Sequence, residues 1–137
     1  MDLEAQSSQP FLSAGDAHTQ AMSLPISDVV RMLLHVLDAT TIAVIAGVRE
    51  TRAVNSWLGD REPQRPQVLR FALQLAAMIA NANDAEFCKA WFHGSNPHLD
   101  DRVPMTMLRD RPLPEIQREL LGAARLFASR PRASSAD

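Results

Sequence analysis

The sequence predicts an all-α protein on three observations. Apolar residues recur every three or four positions in several segments, which is typical of amphipathic helices. No segment shows the sustained alternation of apolar and polar residues that is typical of strands. Glycine and proline separate the periodic segments and suit helix ends and turns. With 137 residues, the chain suffices for one helical domain, or for two small ones that share a core.

The N-terminal third predicts an arm followed by two short helices. Residues 1–24 are rich in Ser, Gln and Ala and lack periodicity, so we expect a disordered arm. The first helix is expected to run from a Ser27 cap to about Leu37, with a broad apolar face. A second, short helix is expected within 41–48, where Gly47 stops it.

The middle of the chain predicts one helix of unusual character. Residues 50–58 are expected to form a short helix, after which Gly59, Pro63 and Pro66 impose a loop. The following helix, 67–82, is apolar on most of its circumference, whereas a surface helix is polar on about half of its turn. We therefore expect this helix to be central, or to form part of a dimer interface.

The C-terminal third predicts three further helices. Asp84 is expected to cap a helix that ends near Phe92, with Gly94 in the left-handed cap conformation. A short helix is expected after Pro104, because proline suits the first turn of a helix. The last helix is expected to begin near Leu113 and to carry apolar residues at helical spacing.

Composition excludes several classes of protein. No apolar run approaches the roughly 18 residues that suggest a membrane span, and the N-terminus lacks the pattern of a secretory signal. The single Cys88 excludes an internal disulfide, which fits a reducing cytoplasm. Although the net charge is −2, arginines outnumber acidic residues within residues 39–75 and within residues 102–137. Each basic segment suits a polyanion or an acidic partner.

No arrangement of residues predicts catalysis. Cys88, His93, His98, Asp100 and Asp101 are potential metal ligands, but glycine and proline interrupt their spacing and adjacent aspartates would have to complete the site. We see no glycine-rich phosphate loop, no nucleophile elbow and no Cys–His arrangement. We therefore expect a protein that is not an enzyme and that needs no metal or cofactor.

Residues 41–58 have the pattern of a helix-turn-helix. Ala43 and Ala46 are small and let the second helix lie close to the first. Gly47 permits the positive φ of a tight turn, and Val48 is expected to close the corner between the helices.

The second helix of this pattern has a buried and an outward side. Val54, Trp57 and Leu58 fall on one stripe, so the polar residues between them project outward. The segment resembles the DNA-binding region of Xre-type regulators, although the interval from Gly47 to Trp57 is one residue longer. Arginine and asparagine match the acceptors and donors of guanine and adenine, and loop arginines suit phosphate. The candidate DNA contacts are Arg49, Thr51, Arg52, Asn55, Ser56, Arg61 and Arg65. The alternative is a helical hairpin whose arginines are simply solvated.

A second motif covers Trp91–Leu108, where an aromatic pair precedes Asn-Pro, Leu, Arg-x-Pro and a further Leu. This order resembles the toxin-binding domain of Xre/MbcA/ParS antitoxins over residues 91–127. The resemblance implies the antitoxin of a bacterial type II toxin–antitoxin system. Its partner would be a RES-domain toxin, an enzyme that consumes NAD or transfers ADP-ribose from it. It also implies a homodimer within a hetero-oligomer, operator DNA as a second partner, and repression of the operon.

The surface beside this motif is the candidate toxin-binding face, and the resemblance implies that the C-terminal helix and tail cover the toxin's active site and deny it NAD. Its candidate residues are Trp91, Phe92, Asn96, Pro97, Leu99, Arg102, Arg118, Arg125 and Arg130. The alternative is that the two aromatics only close a helical core. The expected regions are an arm over 1–24, a helix-turn-helix-like DNA-binding and dimerisation region over 25–83, a toxin-binding region over 84–130 and a flexible tail over 131–137.

Two other functions fit the same pattern. One is a free-standing helix-turn-helix transcriptional regulator without a toxin partner, whose C-terminal region only dimerises. The other is an interaction module whose helix-turn-helix no longer binds DNA.

Overall fold

Helices and the turns between them make up the described part of the chain, as the sequence predicts. The computed structural model describes residues 17–82 and 84–129. The first sixteen residues of the predicted arm, Arg130 and the predicted tail over 131–137 lie outside the described residues. The elements are α1 (Ala17–Ser23), α2 (Ile26–Leu33), α3 (Ala39–Ala46), α4 (Arg52–Ser56), α5 (Pro66–Ala82), α6 (Ala85–His93), a 3₁₀ turn (Pro97–Leu99), α7 (Pro104–Asp110) and α8 (Leu113–Ala128).

The central element is α5, which confirms its predicted place in the core. Nearly every side chain between Val68 and Ile79 is buried. Helices α1, α2, α3, α6 and α8 all pack against α5. A helix that is apolar all round is stable only when other elements cover every face. These five helices therefore form a layer around α5.

Helix α1 corrects the prediction of a disordered arm, which is wrong from Ala17 onward. Ala17 and Ala21 are buried, and they lie one turn apart on the side of α1 that faces α5. Their small side chains let the two helices lie close together. The Arg70 guanidinium donates to the carbonyl oxygens of Ala21 (3.0 Å) and Leu24 (2.7 Å) at the end of α1. Alanine carries too little hydrophobicity for a periodicity search to detect this helix.

The ends of α2 also differ from the prediction. Pro25, not Ser27, occupies the N-cap, and Ser27 lies within the helix. Proline suits this place because its φ is fixed and it has no N–H to leave unsatisfied. The helix ends at Leu33, and a turn carries the chain on to Leu37, whose side chain is nevertheless buried.

Arg65 joins two helix ends that are far apart in sequence. Its Nη2 donates to the Leu108 carbonyl (2.9 Å) and its Nη1 to the Arg109 carbonyl (3.1 Å), both in the last turn of α7. Nη1 also makes a longer contact of 3.4 Å with the Ile45 carbonyl near the end of α3. The guanidinium predicted to contact phosphate is thus engaged within the protein. A cation also suits the negative ends of two helix dipoles.

We expect Arg65→Lys to lower the free energy of unfolding by about 1–3 kcal/mol, because an ammonium lacks the planar fork that reaches both helix ends. Urea denaturation monitored by circular dichroism measures the change. Arg61→Lys, at an exposed arginine in the preceding loop, is the matched control and should stay within about 0.5 kcal/mol of the parent. Equal effects at the two positions would contradict the assignment.

Candidate interaction surfaces

The α3–α4 hairpin forms a tight turn at the predicted glycine. Gly47 adopts a left-handed conformation with φ 79°, as expected, and its amide donates to the Val44 carbonyl. Val54 and Trp57 are buried, which confirms most of the predicted stripe, whereas Leu58 is half-buried. Helix α4 comprises only five residues, so its side chains span little more than one turn.

The outward side of this hairpin carries most of the candidate DNA contacts. Exposed side chains include Arg49, Thr51, Arg52 and Asn55, with Arg61 exposed in the loop beyond. Within this set the Arg52 Nε donates to Glu50 Oε1 at 2.7 Å. The Ser56 hydroxyl is half-buried and donates to the Ala53 carbonyl (2.6 Å). Five of the candidate DNA contacts are therefore exposed to a ligand, and one of these, Arg52, is paired with the Glu50 carboxylate.

A polar cluster that sequence reasoning missed fixes the start of α3 to α6. Asp38 is the N-cap of α3, and its Oδ1 accepts from the Thr41 amide (2.8 Å) and hydroxyl (2.6 Å). Lys89 Nζ lies 2.8 Å from Asp38 Oδ2, and His93 Nε2 lies 2.7 Å from Thr41 Oγ1. Both of these residues belong to α6. An aspartate before an apolar run is a sequence signal for such a cap.

The hydrogen bonds of this cluster indicate which nitrogen of His93 carries a hydrogen. The Asp38 carboxylate can only accept, so the buried Thr41 hydroxyl donates its hydrogen bond to Asp38 and its oxygen accepts one from His93. Nε2 of His93 therefore carries a hydrogen. Hydrogen bonds from Lys89 and then from Thr41 hold the pKa of the Asp38 carboxyl well below its usual range. The carboxylate consequently stays ionised as the cap of α3.

The loop after α6 folds back on itself between Asn96 and Arg102. The Asn96 amide donates to the Arg102 carbonyl (3.0 Å), and the Asn96 carbonyl accepts from the Asp101 amide (2.8 Å). Asp100 and Asp101 adopt the left-handed conformation, with φ 56° and 64°. Gly94, predicted to adopt it, is instead extended, with φ −92° and ψ 153°. The prediction for Gly94 is wrong because the chain leaves α6 straight into this turn.

Most motif side chains point inward and hold this loop. Trp91 and Phe92 are buried in edge-to-face contact, with ring centroids 5.2 Å apart. Leu99 is fully buried, and Asn96 Oδ1 caps the 3₁₀ turn by accepting from the His98 amide (2.9 Å). Of the motif residues predicted to bind a toxin, Pro97 is the exposed one. The motif side chains therefore mainly hold the loop in place, and few of them are exposed to contact a partner.

Arg102, another candidate for toxin binding, ties the loop to α8. Its Nε donates to the Leu99 carbonyl (2.7 Å), and its Nη2 to Glu119 Oε2 on α8 (2.6 Å). The same nitrogen lies 3.8 Å from Asp100 Oδ2. A half-buried guanidinium with these partners fixes the loop relative to the helix.

A groove of about 260 Å³ opens between α6, the motif loop and α8. Its walls include aromatic and small side chains from all three segments. Phe87 lines the groove and is 52% exposed. Leu126 is 49% exposed and directly precedes Phe127, which lines the groove from α8. Sequence reasoning missed both, because each falls off the apolar stripe of its helix. The lining includes Phe87, Ala90, Trp91, Pro97, Ala123 and Phe127.

The arginine face of α8 lies on another side of that helix. Arg118 and Arg125 are exposed, whereas Ile116 and Leu120 are buried as predicted. At about 100° per residue, the two arginines lie roughly 140–160° around the helix from Ala123 in the groove. The loop and the arginines therefore do not form one continuous face, contrary to the expectation from sequence.

The potential metal ligands do not converge. No group of three His, Cys, Asp or Glu side chains within residues 17–82 and 84–129 could hold a metal ion. Burial raises the pKa of the Cys88 thiol to about 12, and its Sγ lies 3.8 Å from the Ala76 carbonyl. This cysteine is therefore a protonated core residue at neutral pH. Its role is in packing.

Comparisons with known protein families, characterised proteins and solved structures found no match to this chain. In the described part of the chain, none of the helices is long and apolar enough to cross a membrane.

The Asp38 cluster predicts a pH dependence of stability. In the unfolded chain this carboxyl takes up a proton near pH 3.9, whereas the folded protein holds its pKa lower. Its contribution is therefore complete above about pH 5 and declines as the pH falls further. From about pH 5 to about pH 2, the parent should lose more unfolding free energy than Asp38→Asn, which retains a capping oxygen.

Urea denaturation at each pH measures this difference. Asp60→Asn, at an exposed loop position, is the matched control and should follow the parent. Parallel curves for the parent and Asp38→Asn would show that the cluster does not favour the ionised carboxylate.

Proposed function

We propose that this chain is the antitoxin of a bacterial type II toxin–antitoxin pair. It neutralises a RES-domain toxin, one that consumes NAD or transfers ADP-ribose, by covering its active site. The observation that carries the proposal is the loop from Asn96 to Arg102, which is ordered by hydrogen bonds within it. Its internal hydrogen bonds hold Pro97 and His98 exposed beside an apolar groove. A surface ordered before binding loses little entropy when a partner docks.

The proposed mechanism is steric and needs no chemistry from this chain. Its side chains would exclude NAD from the toxin's cleft, and in this role the chain itself would carry out no catalytic step and need no cofactor. We place it in the cytoplasm, where both NAD and the operator are available. The protected, protonated Cys88 is compatible with that reducing environment.

The second proposed activity is binding of operator DNA by a homodimer, which represses the operon. The exposed Arg49, Arg52 and Asn55 support it, since these side chains suit base edges and phosphates. A dimer would double the basic surface of a chain whose net charge is −2. The same exposed side chains also favour the second candidate function, a free-standing regulator. The one-turn α4, with Arg52 engaged by Glu50, favours instead an interaction module that does not bind DNA.

Co-expression tests the antitoxin proposal. We expect the full chain to restore growth and cellular NAD in cells that express the co-transcribed RES-domain protein, and to purify in a stable complex with it. Arg118→Ala with Arg125→Ala should weaken neutralisation if the exposed arginine face of α8 contributes, with Arg31→Ala on α2 as the matched control. Growth arrest despite equal expression of the full chain would contradict the proposal.

Removal of α8 is not a usable variant for this test. Ile116, Leu120 and Ala124 are fully buried, and α8 packs on α5. Truncation would expose the core, so a loss of neutralisation would report unfolding.

DNA binding is tested separately, by fluorescence anisotropy with the segment upstream of the chain's own gene at fixed salt. Arg52→Ala and Asn55→Ala should each weaken binding by about 5- to 100-fold if they read bases. Arg31→Ala, at an exposed arginine on α2, should leave it nearly unchanged. Affinities that equal the parent's would exclude α4 as the base-reading element.

A further inference from the structure

The outer face of α8 carries two arginines that the protein itself leaves unpaired. Arg118 and Arg125 are exposed, and among the described residues neither has a hydrogen-bond or ion-pair partner. The other described arginines after residue 84 each lie against a carboxylate: Arg102 against Glu119, Arg109 against Asp110 and Arg111 against Glu115. The two unpaired guanidiniums are therefore the positive charges of this region that remain available to a partner.

A glycine lies between these arginines on the same face. At about 100° per residue, Arg118, Gly122 and Arg125 fall within roughly 60° of one another around α8. Gly122 is in the interior of this helix of 16 residues, where glycine is less favourable than alanine. Its φ is not positive, and no heavy atom from elsewhere in the protein lies within 4 Å of the position that a Cβ would occupy. The packing of the described residues therefore does not require glycine here.

A close approach from outside the chain accounts for the missing side chain. Glycine lets another backbone come into contact with the backbone of a helix. Arg118 and Arg125 place a positive charge about one turn to either side of Gly122. The face is therefore complementary in shape to a closely packed segment, and complementary in charge to one that carries carboxylates.

The spacing of the two charges favours a helix as that segment. Seven residues of α8 separate Arg118 from Arg125 by about 10.5 Å along the axis, and carboxylates seven residues apart in a second helix have the same separation on one face. On one side of an extended strand, side chains recur at about 7 or 13 Å instead. Duplex DNA is disfavoured, because the exposed Glu115 and Glu119 border the face and would repel a line of phosphates.

We propose that the outer face of α8 docks an acidic helix of a partner protein. The backbone of that helix lies close to Gly122, and carboxylates seven residues apart pair with Arg118 and Arg125. The identification of the partner as the RES-domain toxin rests on the proposed function. The chemistry of the face stands independently of that identification.

Designed helical peptides test the face without the partner. The matched peptide consists of three repeats of Glu-Ala-Ala-Ala-Gln-Ala-Ala, so its carboxylates share one face at a spacing of seven residues. The rearranged peptide has the same composition with its carboxylates five residues apart, which turns them away from one another. A short DNA duplex supplies phosphates. The full ¹⁵N-labelled chain is titrated with each probe at low salt while the Gly122 amide signal, identified by its loss in Gly122→Ala, is followed by NMR.

We expect the matched peptide to shift the Gly122 signal, with a dissociation constant of about 1–10 mM, because each exposed ion pair contributes little. The rearranged peptide and the duplex should bind at this position at least fivefold more weakly. An unmoved Gly122 signal, or equal binding of the three probes at this position, would overturn the proposal.

A larger side chain at the glycine tests the close approach. Gly122→Leu adds a side chain where the protein leaves open space, so the chain should fold and raise its midpoint of urea denaturation. It should weaken binding of the matched peptide, read at the Leu121 amide, at least fivefold. Gln117→Leu is the matched control, exposed on α8 but roughly 140° around the helix from Gly122, and should leave binding unchanged. Equal affinities of Gly122→Leu and the parent would overturn the proposal.

Removal of the arginines tests the charge. Arg118→Ala with Arg125→Ala should weaken binding of the matched peptide at least fivefold, whereas Arg31→Ala on α2 should not. Unchanged binding without the two arginines would overturn the proposal. It would also be overturned if sedimentation equilibrium showed a dimer that Gly122→Leu abolishes, because a second copy would then cover the face.

The partner experiment separates the two proposals. Gly122→Leu should weaken the complex with the RES-domain protein at least tenfold, and Gln117→Leu less than twofold. A strong complex that Gly122→Leu leaves unchanged would overturn this face as its contact and retain the antitoxin. No complex with the parent chain would overturn the antitoxin, while the peptide titration would still decide the chemistry of the face.

Discussion

The structure depends on the complete burial of α5. Its side chains from Val68 to Ile79 leave almost no polar stripe for solvent, so this helix is stable only inside a layer of other helices. Each helix that covers α5 packs against it through its inner face, so only the outer face of that helix is available to contact another molecule. The candidate surfaces accordingly lie on the outer sides of α6 and α8, on the loop between Asn96 and Arg102, and on α4, which packs on α3. Any partner would meet the protein at these covering helices, whose positions are set by the core.

The predicted halves share this core and are tied to each other by polar contacts. Helix α3 is held at its start by Lys89 and His93 of α6, and near its end by Arg65, which also holds α7. Helix α6 therefore contacts the hairpin through one side and lines the groove through another. The boundary expected between residues 83 and 84 does not separate two cores, because α5 and α8 pack together across it. It separates only the two candidate surfaces. The described residues therefore form one packed unit that carries two candidate surfaces.

Local patterns predicted the elements that depend on local physics. Gly47 takes the left-handed turn, Pro104 begins α7, and the apolar run over 67–82 forms the central helix, because each follows from the backbone or from periodicity. Helix α1 could not be predicted, since its alanines acquire their burial from α5. The clamp of Arg65 was also beyond sequence reasoning, because its carbonyl partners lie more than forty residues away. Polar contacts between distant segments leave no periodic signature.

The same distinction explains what the Trp91–Leu108 motif encodes. Its most recognisable side chains, Trp91, Asn96 and Leu99, are buried and hold the loop. Such residues are constrained by packing, so they identify a loop geometry and say little about the molecule that touches it. Phe87 and Pro97 beside them are exposed and can contact another molecule. The motif therefore specifies the scaffold that holds the loop, and any contact with another molecule would fall to the exposed residues beside it.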